Sequence, residues 1–143
     1  MLVMIAILAG MILYVAAWIL PWLKIDGVPL TGTLHSIVEG KSYGSSWASR
    51  LIVIGYPFFF AGLVLSELMR EEAALLLGVA GTLLILLGWL GTLWAATQVW
   101  RRAGSAGQTR SWEWGVFFTF ALLTILCGAV LFHVLAWQQA LTQ

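Results

Sequence analysis

Few side chains in this sequence have the chemistry for catalysis or ligation, and they are scattered. They are two histidines, His35 and His133, one cysteine, Cys127, and one carboxylate, Glu67, near the end of an apolar run. Two imidazoles hold a haem or a metal ion only when both rings reach one site. Here they are expected at opposite ends of the membrane-spanning segments. A single cysteine excludes an intramolecular disulfide framework and a multi-thiolate metal site, and Cys127 reads as a small buried hydrophobe. Glu67 lies one helical turn from Arg70 and Glu71, the setting of a solvated or paired charge at a helix end. No nucleophile-and-base pair, phosphate-cradling glycine loop or carboxylate cluster is present, so no enzyme activity and no metal site are expected. What remains is a set of hydroxyl and amide groups (Thr92, Thr97, Gln98, Thr119 and Thr124) of the kind that lines a path for a small solute.

The elements that carry these residues follow from composition. Of 143 residues, 62% are apolar and 9% are charged. That is too little polar surface to clothe a soluble domain, so the excess must face lipid. The net charge of +1 points to no nucleic-acid partner. A hydrocarbon core about 30 Å thick needs roughly 20 apolar residues as helix. Four stretches qualify: 2–20, 51–69, 73–99 and 114–137. The expected fold is therefore an all-α membrane protein, a single domain over 1–143 with four spans in a bundle. The first stretch lacks the basic start and small-residue cleavage site of a signal peptide, so it is read as a retained span. Pro57 predicts a kink in the second.

The larger connections are 21–50 and 100–113. In the first, Asp26-Gly27 between Leu23-Lys24-Ile25 and Val28-Pro29-Leu30 predicts a tight turn, with Pro29 weakening the second arm. Residues 33–39 put Leu34, Ile37 and Val38 on one face of a short interfacial helix, and Gly40 to Ser46 form a flexible link. Only Arg70-Glu71-Glu72 separates the second and third spans, which predicts antiparallel neighbours. The third connection, Arg101 to Ser111, is polar and glycine-rich and is expected to be a mobile loop. Lys24, Lys41, Arg50, Arg101, Arg102 and Arg110 share one side, against Arg70 alone on the other. By the positive-inside rule both termini lie outside and the larger connections face the cytoplasm, in the inner or plasma membrane of a prokaryote. Trp18, Trp22, Trp47, Trp100, Trp112 and Trp114 are expected as headgroup-level anchors on the basic side, and Trp137 on the other.

Small residues recur along one face of the third span: Ala74, Gly78, Gly81, Gly88, Thr92 and Ala95, broken only by Ile85. Lipid gives helices no hydrophobic reason to associate, so close backbone approach must supply the attraction. This stripe is the expected helix-packing interface, facing this chain's own helices or another subunit. Ala121, Thr124 and Gly128 in the fourth span, and Ala6, Gly10 and Ala17 in the first, form shorter analogues.

Residues Ala129-Val130-Leu131-Phe132-His133-Val134-Leu135-Ala136-Trp137 resemble the pigment-binding stretch of bacterial light-harvesting polypeptides. That resemblance implies a bacteriochlorophyll-type pigment ligated by His133, with Ala129 giving the ring room and Trp137 one turn beyond. That family has one span rather than four. The Leu20-Pro21-Trp22 ending of the first span and the larger first connection are also similar to small four-span proteins of claudin-like outline. The claudin tryptophan-and-cysteine-pair signature is absent, and no function is carried over.

Sparse chemistry, smooth helix faces and little extramembrane mass together lead to one expectation. The chain is a non-catalytic accessory, assembly or stabilising subunit of a larger membrane complex, respiratory or photosynthetic complexes being candidates. Its partners would be the lipid bilayer and other membrane subunits or further copies of itself. A small homo-oligomeric transporter or channel is the alternative, and a pigment-associated subunit ranks below it.

Overall fold

The computed structural model describes residues 2–19, 21–31 and 46–142. The 33–39 segment, His35 and all of the Gly40–Ser46 link but its last residue lie outside them. The chain is mostly helical: α1 (Leu2–Ile19), α2 (Ser46–Met69), α3 (Glu72–Ser105) and α4 (Trp114–Thr142), with strands β1 (Pro21–Ile25), β2 (Val28–Thr31) and β3 (Arg110–Trp112). Three apolar helical stretches, Arg50–Met69, Glu72–Ser105 and Trp114–Ala140, are long enough to cross a membrane. At 1.5 Å per residue α3 is about 51 Å long, more than a hydrocarbon core of about 30 Å. Leu2–Ala16 forms a shorter apolar helix.

The helices associate as two pairs, α2 along α3 and α1 along α4, with fewer contacts between the pairs. The α2–α3 connection is Arg70 and Glu71 alone, and Arg70 makes the turn with φ of +51°. That left-handed conformation is one that glycine ordinarily supplies at a helix C-terminus. Beyond the turn the two backbones touch. A Cβ placed on Gly62 would fall onto the Gly78 backbone, and one on Gly81 would meet the Phe59 backbone nitrogen. On Gly55 it would lie 2.9 Å from the Gly81 carbonyl oxygen. Gly78 and Gly81 of the small-residue stripe therefore pack against α2. Ala74, Gly88, Thr92 and Ala95 are buried as well.

The fourth helix behaves differently. Ala121 and Thr124 are exposed, and a Cβ on Gly128 would meet nothing within 4 Å. Leu123, Leu126, Ala129 and Val130 of α4 turn inward, as do Ala6, Ala9 and Leu13 of α1, the helix it packs along. Small size permits close approach but does not compel it.

One end of the helices is closed by a sheet of order β2-β1-β3. β1 pairs antiparallel with β2 across Asp26-Gly27, where both residues have positive φ (+50° and +81°). This is the backbone of a primed two-residue turn, which matches strand twist. Pro29 is tolerated because β2 is an edge strand. β1 also pairs with β3, so the third connection, expected as a mobile loop, is ordered by a strand partner far away in sequence. Asp26 clips the two connections together. Its N–H donates to the Thr109 carbonyl (2.9 Å), and its Oδ1 accepts from the Thr109 N–H (2.9 Å) and hydroxyl (3.0 Å).

Trp22 on β1 corrects the expectation of a headgroup anchor, because it is fully buried. Its indole N–H donates to Thr119 Oγ1 (3.2 Å), and its ring lies against Trp89 and Phe120. Trp100 and Trp112 also have another task. They stack on each other, and the Arg110 guanidinium sits 4.4 Å from the Trp100 ring while donating to the Trp100 carbonyl (2.6 Å). Gly104 makes room for that guanidinium, since a Cβ there would collide with it. Trp114 is exposed.

Adding a methyl at Gly62 or Gly81 gains about 1 kcal/mol of helix propensity. It also forces two rigid backbones apart, and overpacking of that kind costs about 1–3 kcal/mol or more. Equilibrium unfolding in detergent should therefore show Gly62→Ala and Gly81→Ala destabilised, Gly81→Leu failing to fold, and Gly128→Ala unchanged or slightly stabilised. Normal stability of Gly81→Leu would remove the close approach as an organising contact.

Candidate functional site at the helix ends

At the end opposite the sheet, α1, α2 and α4 leave a cleft of about 350 Å³. Its apolar walls are Leu2, Val3, Ala136 and Ala140, and its polar lining is Ser66, Glu67, Arg70, His133 and Trp137. Glu67 and Arg70, one turn apart at the end of α2, are exposed at the rim. Ser66 and His133 form the floor, at 0% and 8% exposure.

The floor has a defined proton arrangement. Ser66 Oγ is 2.7 Å from the Leu63 carbonyl oxygen and 3.2 Å from His133 Nε2. A hydroxyl has one proton, and the carbonyl can only accept, so that proton goes to Leu63. Nε2 must then be the donor to Ser66. In the neutral ring this leaves Nδ1 with its lone pair, for which no partner is found among the described residues. The same bookkeeping removes Ser66 as an activated nucleophile, since its proton faces a carbonyl rather than a base. The Trp137 indole N–H is enclosed and has no acceptor among the described residues.

Of the residues singled out in sequence, His133 lines this cleft, whereas Ala129 lies one turn deeper, in the core, at 6% exposure. A macrocycle ligated through Nε2 would need that nitrogen free and the space beside Ala129 open. Nε2 is occupied by Ser66, Ala129 is covered by protein, and the cleft volume is at the lower end for small-molecule sites. These residues do not fit a chlorophyll-type ring. The stripe from Ala74 to Ala95 lies elsewhere, buried along α3. The described residues contain no group of three or more His, Cys, Asp or Glu side chains placed to hold a metal ion.

The hydroxyl and amide set does not converge within the chain. Thr92 and Thr119 are buried and donate to the Gly88 and Gly115 carbonyls of their own helices (2.9 and 2.7 Å). Thr97 donates to the Trp94 carbonyl (2.6 Å), and Thr124 donates to the Phe120 carbonyl (2.8 Å) from the outer surface. Ser66 was missed in the sequence. It is an ordinary serine near a helix end, and its partner lies 67 residues away.

Comparison with protein-family profiles, with curated proteins and with solved structures gave no match.

Ser66→Ala should leave the imidazole N–H without an acceptor, at a cost of about 1–3 kcal/mol. Removing both partners in Ser66→Ala/His133→Leu should cost less than the sum of the single changes. A double-mutant cycle by equilibrium unfolding measures the difference. Strict additivity would mean that the two groups do not interact.

Proposed function

We propose that this chain is a four-span, non-catalytic subunit that stabilises or helps to assemble a larger membrane complex. The observation that carries the reading is the closed interior. Leu13, Phe59, Leu63, Ile85, Trp89 and Leu126, contributed by all four helices, are at most 1% exposed. The buried threonine hydroxyls are bonded to carbonyls of their own helices. A core of this kind offers neither a reacting group nor a hydrated path. Its outer surface is rich in exposed large apolar side chains, among them Leu68, Phe117, Leu131 and Phe132. That surface is suited to lipid and to the helices of other subunits.

The fourth crossing is α1. Its 18 residues make about 27 Å of helix, close to the hydrocarbon thickness. Pairing of β1 with β3 supports a common side for the first and third connections, as an even number of spans requires. Lys24, Arg50, Arg101, Arg102 and Arg110 belong to that side and Arg70 to the other, which favours a cytoplasmic sheet and outside termini. The channel alternative has less support, because its hydroxyl residues are divided between core and outer surface.

In native membranes the chain should resist alkaline carbonate extraction and leave in mild detergent together with larger partners, identified by mass spectrometry. Reconstituted alone in planar bilayers it should give no conductance. Steady single-channel currents from the isolated chain, or its release from native membranes in mild detergent without any partner, would sink the subunit reading.

A further inference from the structure

The cleft between α1, α2 and α4 brings a cation, an anion and a histidine into one space. Its rim carries one guanidinium, Arg70, and one carboxylate, Glu67, both exposed and a single turn apart. Its floor presents His133, whose Nε2 proton is committed to Ser66, so that Nδ1 is left as an acceptor. Its walls are apolar, and it lies where α2 ends at Met69 and the α4 membrane segment ends at Ala140. That is the depth of lipid headgroups when the helices span a bilayer. Arg70 stands in a left-handed turn position that favours glycine, at a cost of about 1 kcal/mol. A backbone cost of this kind is characteristic of positions kept for what the side chain does.

We propose that this cleft binds a phosphoethanolamine headgroup, a phosphodiester joined to a primary ammonium, carried by a bilayer phospholipid. Arg70 takes the phosphate through its forked donors. Glu67 and the His133 Nδ1 lone pair accept N–H bonds from the ammonium. The two charges of the ligand thus meet opposite charges on one helical turn. A phosphocholine headgroup has no N–H to donate, and a phosphoglycerol headgroup has no cation for Glu67, so both are disfavoured. The volume of about 350 Å³ takes a headgroup, and Leu2, Val3, Ala136 and Ala140 give it apolar walls. The inference rests on the membrane-spanning reading above, although not on the identity of any partner complex.

The test uses the full chain purified in a lipid-free mild detergent. It is titrated with dioctanoyl phosphatidylethanolamine, phosphatidylcholine or phosphatidylglycerol, or with glycerophosphoethanolamine, which lacks acyl chains. Bound adducts are read by native mass spectrometry. Phosphatidylethanolamine should bind about tenfold more tightly than phosphatidylcholine, the weight of one charge-assisted hydrogen bond. Glu67→Gln should abolish that preference, and Arg70→Gln should weaken binding of all three lipids about tenfold, while the lipid-free unfolding midpoint stays unchanged in both. Equal binding of the three lipids, a preference that survives Glu67→Gln, or lipid affinity unaffected by Arg70→Gln overturns the proposal. Glycerophosphoethanolamine binding as tightly as the lipid overturns the bilayer source in favour of a soluble headgroup compound. Loss of carbonate-resistant membrane association would instead refute the spanning reading, so the two failures are distinguishable.

Discussion

The close approach of α2 and α3 is the contact on which the rest of the structure depends. In hydrocarbon, apolar side chains gain nothing by leaving lipid for one another, so helices must earn their association through dispersion contact at short range. Gly55, Gly62, Gly78 and Gly81 remove the side chains that would hold the backbones apart. The two-residue turn at Arg70 and Glu71 sets the pairing from one end. With α2 and α3 joined, Phe59, Leu63, Ile85 and Trp89 form a fixed surface. The α1–α4 pair closes on that surface: the Tyr56 hydroxyl donates to the Gly10 carbonyl (3.0 Å), and Phe59 fills the space left at Gly10.

The sheet is the second organiser, and it works by different physics. A short two-stranded ribbon is marginal on its own. Here β1 is held between β2 and β3 and inserts Trp22 and Leu23 into the end of the helices. The burial of one indole, with its N–H satisfied by Thr119, ties the first connection to α4 and α3 together. Asp26 and Thr109 repeat the tie at the surface. These contacts give the first and third connections a common structure in water, where backbone groups would otherwise be solvated. Arg110 between Trp100 and the Gly104 backbone anchors the far end of α3 in the same way.

Polar chemistry is correspondingly confined. The centre of the protein holds hydroxyls bonded to their own helices, and the charged cleft sits at the opposite end from the sheet. This division leaves the buried core apolar apart from hydroxyls bonded within their own helices. At the cleft floor Ser66 is held by the Leu63 carbonyl and by His133, while Glu67 and Arg70 are exposed at the rim.

The sequence by itself determined what depends on local composition and spacing. Three long apolar helices follow from the cost of exposing so much hydrocarbon to water. The short α2–α3 turn follows from the lack of residues to make a longer one, and the smooth face of α3 from its three-and-four spacing. The tertiary structure decided what depends on a partner distant in the chain. Trp22 carries the amphipathic indole of an interfacial residue, and only the presence of Thr119 and Trp89 makes it a core residue. Arg110 to Trp112 have no strand pattern of their own and become β3 because β1 offers its edge. The small-residue stripe of α3 is buried, whereas Ala121 and Thr124 of α4 are exposed, since size allows contact but the facing helix decides it. His133 shows both limits. Its position near a span end was legible from the sequence, but its proton and its neighbours were set by a serine on another helix.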